Sequence, residues 1–545
     1  LDLPIMGRRH GWDNSWDVKA MSNYNTITSI SESPVREGVI YAGTDDGIIQ
    51  VTTNGGESWK KIPVTKLGLP ARTFINDIKA DNFDANTVYV SLDNHKEGDF
   101  NPYLYKSTDL GETWTSIAGN LPKRNLIWRL VQDHIAKDLM FCATETAIYV
   151  TINGGKSWNK VPGAPTISFR DITIQKREND LVGASFGRGF FVLDDYSALR
   201  EMTSDNLSKE GKLFNTRDAL WYLPKSTIGN TGGDYYFAQN PDFGAVFTYH
   251  LSKSYPSMKS DRKKVESEMI KKGQQIPGID WDAIEKEGRE ETTKIYVVVK
   301  DLNGNIINKI SAPKSKGLNR VAWNLRHSSA TAINPDRLPR SGRGGGGWYN
   351  SGQLASPGSY TATLVKEDEG VSIELDDPIT FNVVDLERGT LQGMSYEEYN
   401  THAENLISVQ NRQSVLSENM NETMNMVKAM RVSLSRSKSL NNELSKRLFD
   451  IEEQLNQLSK KVYGNSAKSE VGVKNDPTVS SFIGNAYRGL TSTYGPTGQH
   501  KQSLNIANSM LDKLYVELDA ISGNLPNLKV ELDKMSAPLI IGVNN

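Results

Sequence analysis

The sequence predicts a mainly β chain with a C-terminal α region: part of a β-propeller, then a β-sandwich, then an antiparallel helical bundle. Three observations carry this. An eight-residue pattern recurs at Thr52 to Trp59 (TTNGGESW), Ser107 to Trp114 (STDLGETW) and Thr151 to Trp158 (TINGGKSW), about one four-stranded blade apart. Alternating apolar runs punctuated by turn signals, Asn303-Gly304 among them, fill residues 243 to 386. Apolar residues at spacings of three and four then run through the last third, as at Leu444, Leu448, Ile451, Leu455, Leu458 and Val462.

Turn chemistry explains the repeated pattern. An Asx side chain at Asn54, Asp109 or Asn153 accepts hydrogen bonds from backbone N–H groups further along, and Gly56, Gly111 and Gly155 tolerate positive φ. Trp59, Trp114 and Trp158 are expected to wedge between neighbouring sheets, each burying roughly 150–250 Å². These nine residues read as structural staples and not as a site.

Composition narrows the classes. Lys plus Arg total 63 against 65 Asp plus Glu, which gives no global reason to expect nucleic acid or a membrane surface. The single cysteine, Cys142, lies in an apolar strand, so no disulfide framework is expected. No apolar run is long enough for a membrane span. The chain opens at Leu1 without Met and reads as the interior of a longer polypeptide.

Residues 1 to 23, with Arg8, Arg9, His10, Trp12, Asp13 and Trp16, read as a loop or an incoming strand. The first blade takes strands near Thr26–Ser31, Val39–Thr44, Ile48–Thr53 and Trp59–Ile62, and two more blades repeat the plan. In the fourth, Asp194-Asp195-Tyr196 replaces the box. Four blades do not close a ring comfortably, so an upstream segment or another chain is expected to complete it over 1–199. Residues 200–242 read as a connector, 243–386 as the sandwich and 387–545 as the bundle. The sandwich carries a charged helical insertion (257–291) and a Gly-rich loop, Arg340 to Gly352, that lacks the ending of a phosphate cradle.

Strand alternation places the turns between second and third strands on the face opposite the boxes. That face carries Asp45, Asp46, Asp93, His95, Asp99, Glu145 and Arg188, and a ligand is expected to meet these residues. No zinc signature, Ser–His–Asp order or dinucleotide fingerprint occurs, so no metal and no cofactor is expected.

The three boxes resemble the Asp-box, or BNR repeat, of sialidases, xyloglucanases and sortilin-type receptors. From ITSISESPVREGVIYAGTDDG through GRGFFVLDDYSALR, GLNRVAWNLRH and SPGSYTATL to DPTV and YGPTGQ, the chain resembles large bacterial sortilin-like propeller proteins often labelled glycosyl hydrolase. The resemblance implies an Ig-like sandwich, further blades upstream on the same polypeptide, and an extracytoplasmic location. It also implies two functions. One is a binding or scaffold component of the cell envelope or surface that engages a protein or glycan, within a larger complex. The other is a xyloglucanase-like hydrolase with paired carboxylates drawn from Asp45, Asp46, Asp93, Asp99 and Glu145, about 5–5.5 Å apart for retention or 6.5–9.5 Å for inversion. The sialidase Arg-Ile/Leu-Pro signature is absent from the blades, and Arg337-Leu338-Pro339 matches it only within the sandwich insertion.

Overall fold

The computed structural model describes residues 4–5, 8–9, 26–224, 238–278, 280–333, 352–386, 393–492 and 494–540. The Gly-rich loop over 340–351, Arg337-Leu338-Pro339, and most of the expected segment over 1 to 23 lie outside the described residues. Within that segment, β1 (Pro4–Ile5) pairs antiparallel with β2 (Arg8–Arg9). The chain is mainly β, in several antiparallel sheets, with helices toward its C-terminus, and it divides into two compact units, Leu1–Lys209 and Glu210–Asn545.

The first unit is a propeller-like arc of four successive meanders. Blade 1 is β3 (Ile27–Glu32), β4 (Ile40–Thr44), β5 (Ile48–Thr52) and β6 (Lys60–Pro63). Blade 2 is β7 (Phe74–Ala80), β8 (Val88–Asn94), β9 (Asp99–Ser107) and β10 (Thr115–Ser116). Blade 3 is β11 (Ile127–Gln132), β12 (Met140–Thr144), β13 (Ile148–Thr151) and β14 (Asn159–Lys160). Blade 4 has three strands, β15 (Phe169–Gln175), β16 (Asp180–Ser185) and β17 (Phe190–Leu193), followed by a short helix α1 (Ser204–Ser208).

The first strand of each blade packs beside the first strand of the next, so β3, β7, β11 and β15 form the inner wall. Each of them breaks register once, at Thr28, Asn76, Trp128 and Arg170. A bulge turns one extra side chain out of the ladder and bends the strand, and here it does so at the same end of every blade. Further along, Ser29 Oγ donates to Asp77 Oδ1 (3.1 Å), and Arg129 lies 3.9 Å from Asp77 and 3.6 Å from Asp171. Burial raises the Asp77 pKa despite the nearby Lys79 and Arg129.

The box turns share one hydrogen-bond scheme. Thr52 Oγ1 donates to Asn54 Oδ1 (2.8 Å) and accepts from Gly56 N (3.0 Å), while Asn54 Oδ1 accepts from Ser58 N (3.1 Å). Ser107, Asp109, Gly111 and Thr113 repeat it, as do Thr151, Asn153, Gly155 and Ser157. The expected wedge of three tryptophans is not uniform: Trp158 is 2% exposed, whereas Trp59 is 42% exposed. The reason is the neighbour. A Cβ at Gly111 would lie 2.6 Å from Ile62 of blade 1, and one at Gly155 2.8 Å from Ile117 of blade 2. The first box has no such blade before it among the described residues, and a Cβ at Gly56 would meet only Trp59, at 3.7 Å.

In the second unit, β18 (Gly211–Leu213), β20 (Ala245–Leu251) and β23 (Gly317–Trp323) form one sheet. β19 (Ala219–Trp221), β26 (Ile379–Asp385), β24 (Gly358–Asp368), β21 (Lys294–Asp301) and β22 (Ile306–Ala312) form the other, with β25 (Val371–Glu374) paired to β24. Phe247, Trp323, Tyr360 and Phe381 meet in their shared core. Residues 200–242 were expected to be a connector, yet β18 and β19 fall there. Leu213 N bonds Asp376 Oδ2 and the Trp221 indole donates to Ala355 O, so these short runs draw their strand character from distant partners. In the charged insertion, α2 (Met258–Lys271) and α3 (Trp281–Arg289) bury no residue and are joined by Arg262, which bonds Glu266 and Glu287.

The remaining helices are α4 (Tyr396–Ser435), α5 (Asn442–Tyr463), α6 (Ser466–Glu470), α7 (Val479–Arg488), α8 (Gly498–Ser522) and α9 (Leu525–Lys534). Every seam residue from Leu444 to Val462 is buried, as are Leu504, Ala507, Leu511, Leu514, Leu518 and Ile521, in one core shared with α4. Among the described residues, no helix is long and apolar enough to cross a membrane.

Candidate functional site

Backbone hydrogen bonds sort the arc into two ends. At one, the boxes bond the first turn of their own blade, through Gly55 N to Gly38 O, Leu110 N to Asn86 O and Gly154 N to Asp138 O. At the other, turns between second and third strands bond the segments that connect blades: Val64 N to Gly47 O, Glu145 N to Leu126 O and Phe186 N to Ser168 O. The expected ligand-facing residues lie at this second end.

Their carboxylates are engaged within the protein. Asp45 Oδ1 accepts from Thr26 N (2.9 Å), and Asp46 Oδ1 accepts from the Thr44 hydroxyl (2.5 Å). Asp93 is 1% exposed and bonds both the backbone N–H (3.2 Å) and Nδ1 of His95. Asp99 accepts from Tyr103 Oη (2.5 Å) and from Asn101 N and Nδ2. Burial works against ionisation of Asp99, but those bonds outweigh it and hold its pKa below the usual value. Burial and the adjacent carboxylate push the Tyr103 phenol up to about 12.

Glu145 Oε2 accepts from Trp128 Nε1 (2.9 Å) and Ser168 Oγ (2.9 Å), with Arg170 Nη2 at 3.7 Å. The Arg170 guanidinium stacks on the Trp128 ring, 3.7 Å from its centroid, and lies 5.1 Å from that of Phe186. His95 meets the Trp128 ring edge-on, with centroids 6.3 Å apart. The structure thus gathers Asp93, His95 and Glu145 around Trp128, while Asp46 and Asp99 close their own turns and Asp45 ties its turn to Thr26 before β3. Arg188 is exposed at the β16–β17 turn, its backbone N–H bonded to Ser185 Oγ (3.1 Å).

Sequence reasoning missed Trp128, Arg170 and Phe186. Trp128 and Arg170 are the bulge residues of their inner strands, and regular alternation assigns them no special direction. A signal was present. The runs Pro70 to Ile78 (PARTFINDI) and Pro122 to Leu130 (PKRNLIWRL) align without a gap, pairing Arg72 with Arg124, Thr73 with Asn125 and Asn76 with Trp128. Asn125 accepts from the Thr146 hydroxyl (2.8 Å), and its buried Nδ2 has no hydrogen-bond partner among the described residues.

Nothing at this end resembles a nucleophile-and-base or metal arrangement among the described residues. Among the described residues, no three His, Cys, Asp or Glu side chains gather as a metal site. Cys142 is buried in β12, and burial raises its thiol pKa far above the usual range.

No family model matches the sequence, and no curated protein matches it. Among solved structures, the chain is similar to the GH74 xyloglucanase from Xanthomonas campestris at 13% identity and TM-score 0.23, covering 29% of this chain and 26% of that one. A GH74 enzyme from Niastella koreensis gives 15% identity and TM-score 0.27, covering 31% and 29%. YCF48 bound to D1 peptide gives 17% identity and TM-score 0.24, covering 36% and 60%. The chain therefore spans less than two thirds of the length of each.

Proposed function

We propose that this chain is a non-catalytic binding or scaffold protein that engages a protein or glycan through the arc face opposite the boxes. In this reading it is an exported, sortilin-like component of the cell envelope or surface. Its second unit is an Ig-like sandwich with an antiparallel helical bundle, and further blades, upstream or from another chain, complete the ring.

The observation that carries the reading is the engagement of Asp45, Asp46, Asp93, Asp99 and Glu145 as acceptors for the protein's own donors. A glycoside hydrolase needs one carboxyl free to donate a proton and a second free to attack or to activate water, both facing the sugar. Here each already accepts from a donor of the protein: Asp46, Asp93 and Asp99 within their own turns, Asp45 from Thr26 N and Glu145 from Trp128 and Ser168.

The test is hydrolysis. Purified chain incubated with xyloglucan and a panel of other polysaccharides is expected to release no reducing ends. Release that disappears in the Asp46→Asn, Asp93→Asn double variant, with circular dichroism unchanged, would establish the hydrolase instead.

A further inference from the structure

We infer that the face around Trp128 binds an acidic peptide, its carboxylates held by Arg170, Arg188 and Arg124; this rests on the binding reading above. The face was expected to be rich in carboxylates, but most of these are tied up within the protein while Arg124 and Arg188 are exposed. The acids there are acceptors in internal hydrogen bonds, Glu97 being the exposed one with no such role. The cations instead rest on aromatic rings. Lys96 Nζ lies 5.5 Å from the Phe74 centroid, Arg124 Cζ 5.4 Å from that of Phe100, and Arg170 between Trp128 and Phe186.

This difference matters chemically. A ring holds a guanidinium in place through its quadrupole without neutralising it, and it leaves the N–H donors in the plane available. Arg170 also lies 3.7 Å from the half-exposed Glu145 carboxylate, a contact a ligand carboxylate would have to share, whereas Arg124 and Arg188 carry no ion pair among the described residues. Arg188 stands between Gly187 and Gly189, both at positive φ (72° and 82°), on the exposed tip that also carries Phe186.

A peptide fits better than an acidic glycan. Sugars are bound by stacking on open aromatic faces, but the largest ring here, Trp128, is 8% exposed and covered by Arg170. The exposed Phe186 and Phe100 suit apolar side chains placed between acidic ones. Arg–carboxylate pairing at such a site is charge-assisted and weakened by salt.

The experiment titrates the full chain, at low and physiological ionic strength, with fluorescein-labelled deca-glutamate and, separately, with polygalacturonate. Deca-glutamate is expected to bind, to weaken with salt, and to weaken about tenfold in Arg170→Gln, Arg188→Gln. Arg124→Gln, Arg188→Gln changes only exposed side chains and is expected to weaken it in the same direction. The control Lys263→Gln, Lys264→Gln removes equal charge from α2 and is expected to leave binding unchanged. No binding at low salt, tighter binding of polygalacturonate, or equal weakening by the α2 control would each overturn the inference. Cleavage of polygalacturonate would overturn the binding reading beneath it.

Discussion

Ile30 in blade 1 and Ile78 in blade 2 occupy the same place in their repeats, two residues beyond the inner-strand bulge, yet Ile30 is 63% exposed and Ile78 is fully buried. Ile27 and Ile75 differ in the same way, at 56% and 0%. The pattern inverts at the other end of the arc. Ile49, Leu104 and Ile148, each paired to the matching residue of its second strand, are buried, whereas Phe190 of blade 4 is 78% exposed. The side chains are equally apolar. What differs is the presence of a blade alongside, so burial here is a property of the interface between repeats and not of the strand that carries the residue.

The strongest way to test that contrast is at Asp133, whose partners come from the following blade. Arg200 donates to both of its oxygens (3.0 and 2.8 Å) and Tyr196 Oη to one (2.7 Å), whereas Ser33, in the matching turn of blade 1, holds only Val35 N and Arg36 N. Asp133→Asn removes the counter-charge of the part-buried Arg200, which keeps only its neutral bond to Asn179 Oδ1 (2.7 Å), and is expected to cost about 3–5 kcal/mol in urea denaturation, against about 1 kcal/mol for Ser33→Ala. Burial opposes ionisation of Asp133, but its hydrogen bonds from Arg200, Ala136 N and Tyr196 prevail and lower its pKa below 3.8. The folded state therefore binds fewer protons than the unfolded one. This stabilisation is complete above the unfolded pKa and is lost as pH falls below about 4 toward the folded value, so the variant should flatten the acid limb of the stability profile.

Next in size, Ile78→Ala is expected to cost about 2–5 kcal/mol and Ile30→Ala less than about 0.5 kcal/mol. Equal losses would mean that β3 is covered in solution. Gly111→Ala brings a Cβ to 2.6 Å from Ile62 at φ 83°, while Gly56→Ala carries the φ strain without the clash. The former should be less stable by a further ~1–3 kcal/mol in thermal melts. The smallest effect belongs to the exposed Lys60–Glu112 pair between the first two blades. Lys60→Ala is expected to cost ~0.2–1 kcal/mol at low salt and nothing measurable in high salt.

Much of the arc was legible because its signals are local. Three boxes set the register, and the strands expected around them fall within a few residues of β3 to β14. The helical seams were equally plain, since a spacing of three and four places side chains on one stripe wherever the helix packs. β18 and β19 were not legible: three residues each carry no period, and their pairing partners are more than thirty residues distant in β20 and far further in β26. At the candidate site the sequence located the turns. His95 bonds Asp93 from two residues away, but Trp128 and Ser168, 17 and 23 residues from Glu145, reach it only through the fold.

The sequence alone determined the repeat, its turn chemistry and the end of each blade on which Asp45, Asp93, Glu145 and Arg188 sit, because these follow from strand alternation and from side chains bonding backbone a few residues away. The tertiary structure alone decided which apolar positions are buried, which distant donors occupy Asp45 and Glu145, and which cations rest on rings from other blades. Those outcomes depend on which groups far along the chain approach within hydrogen-bond or van der Waals distance, and no local pattern encodes that.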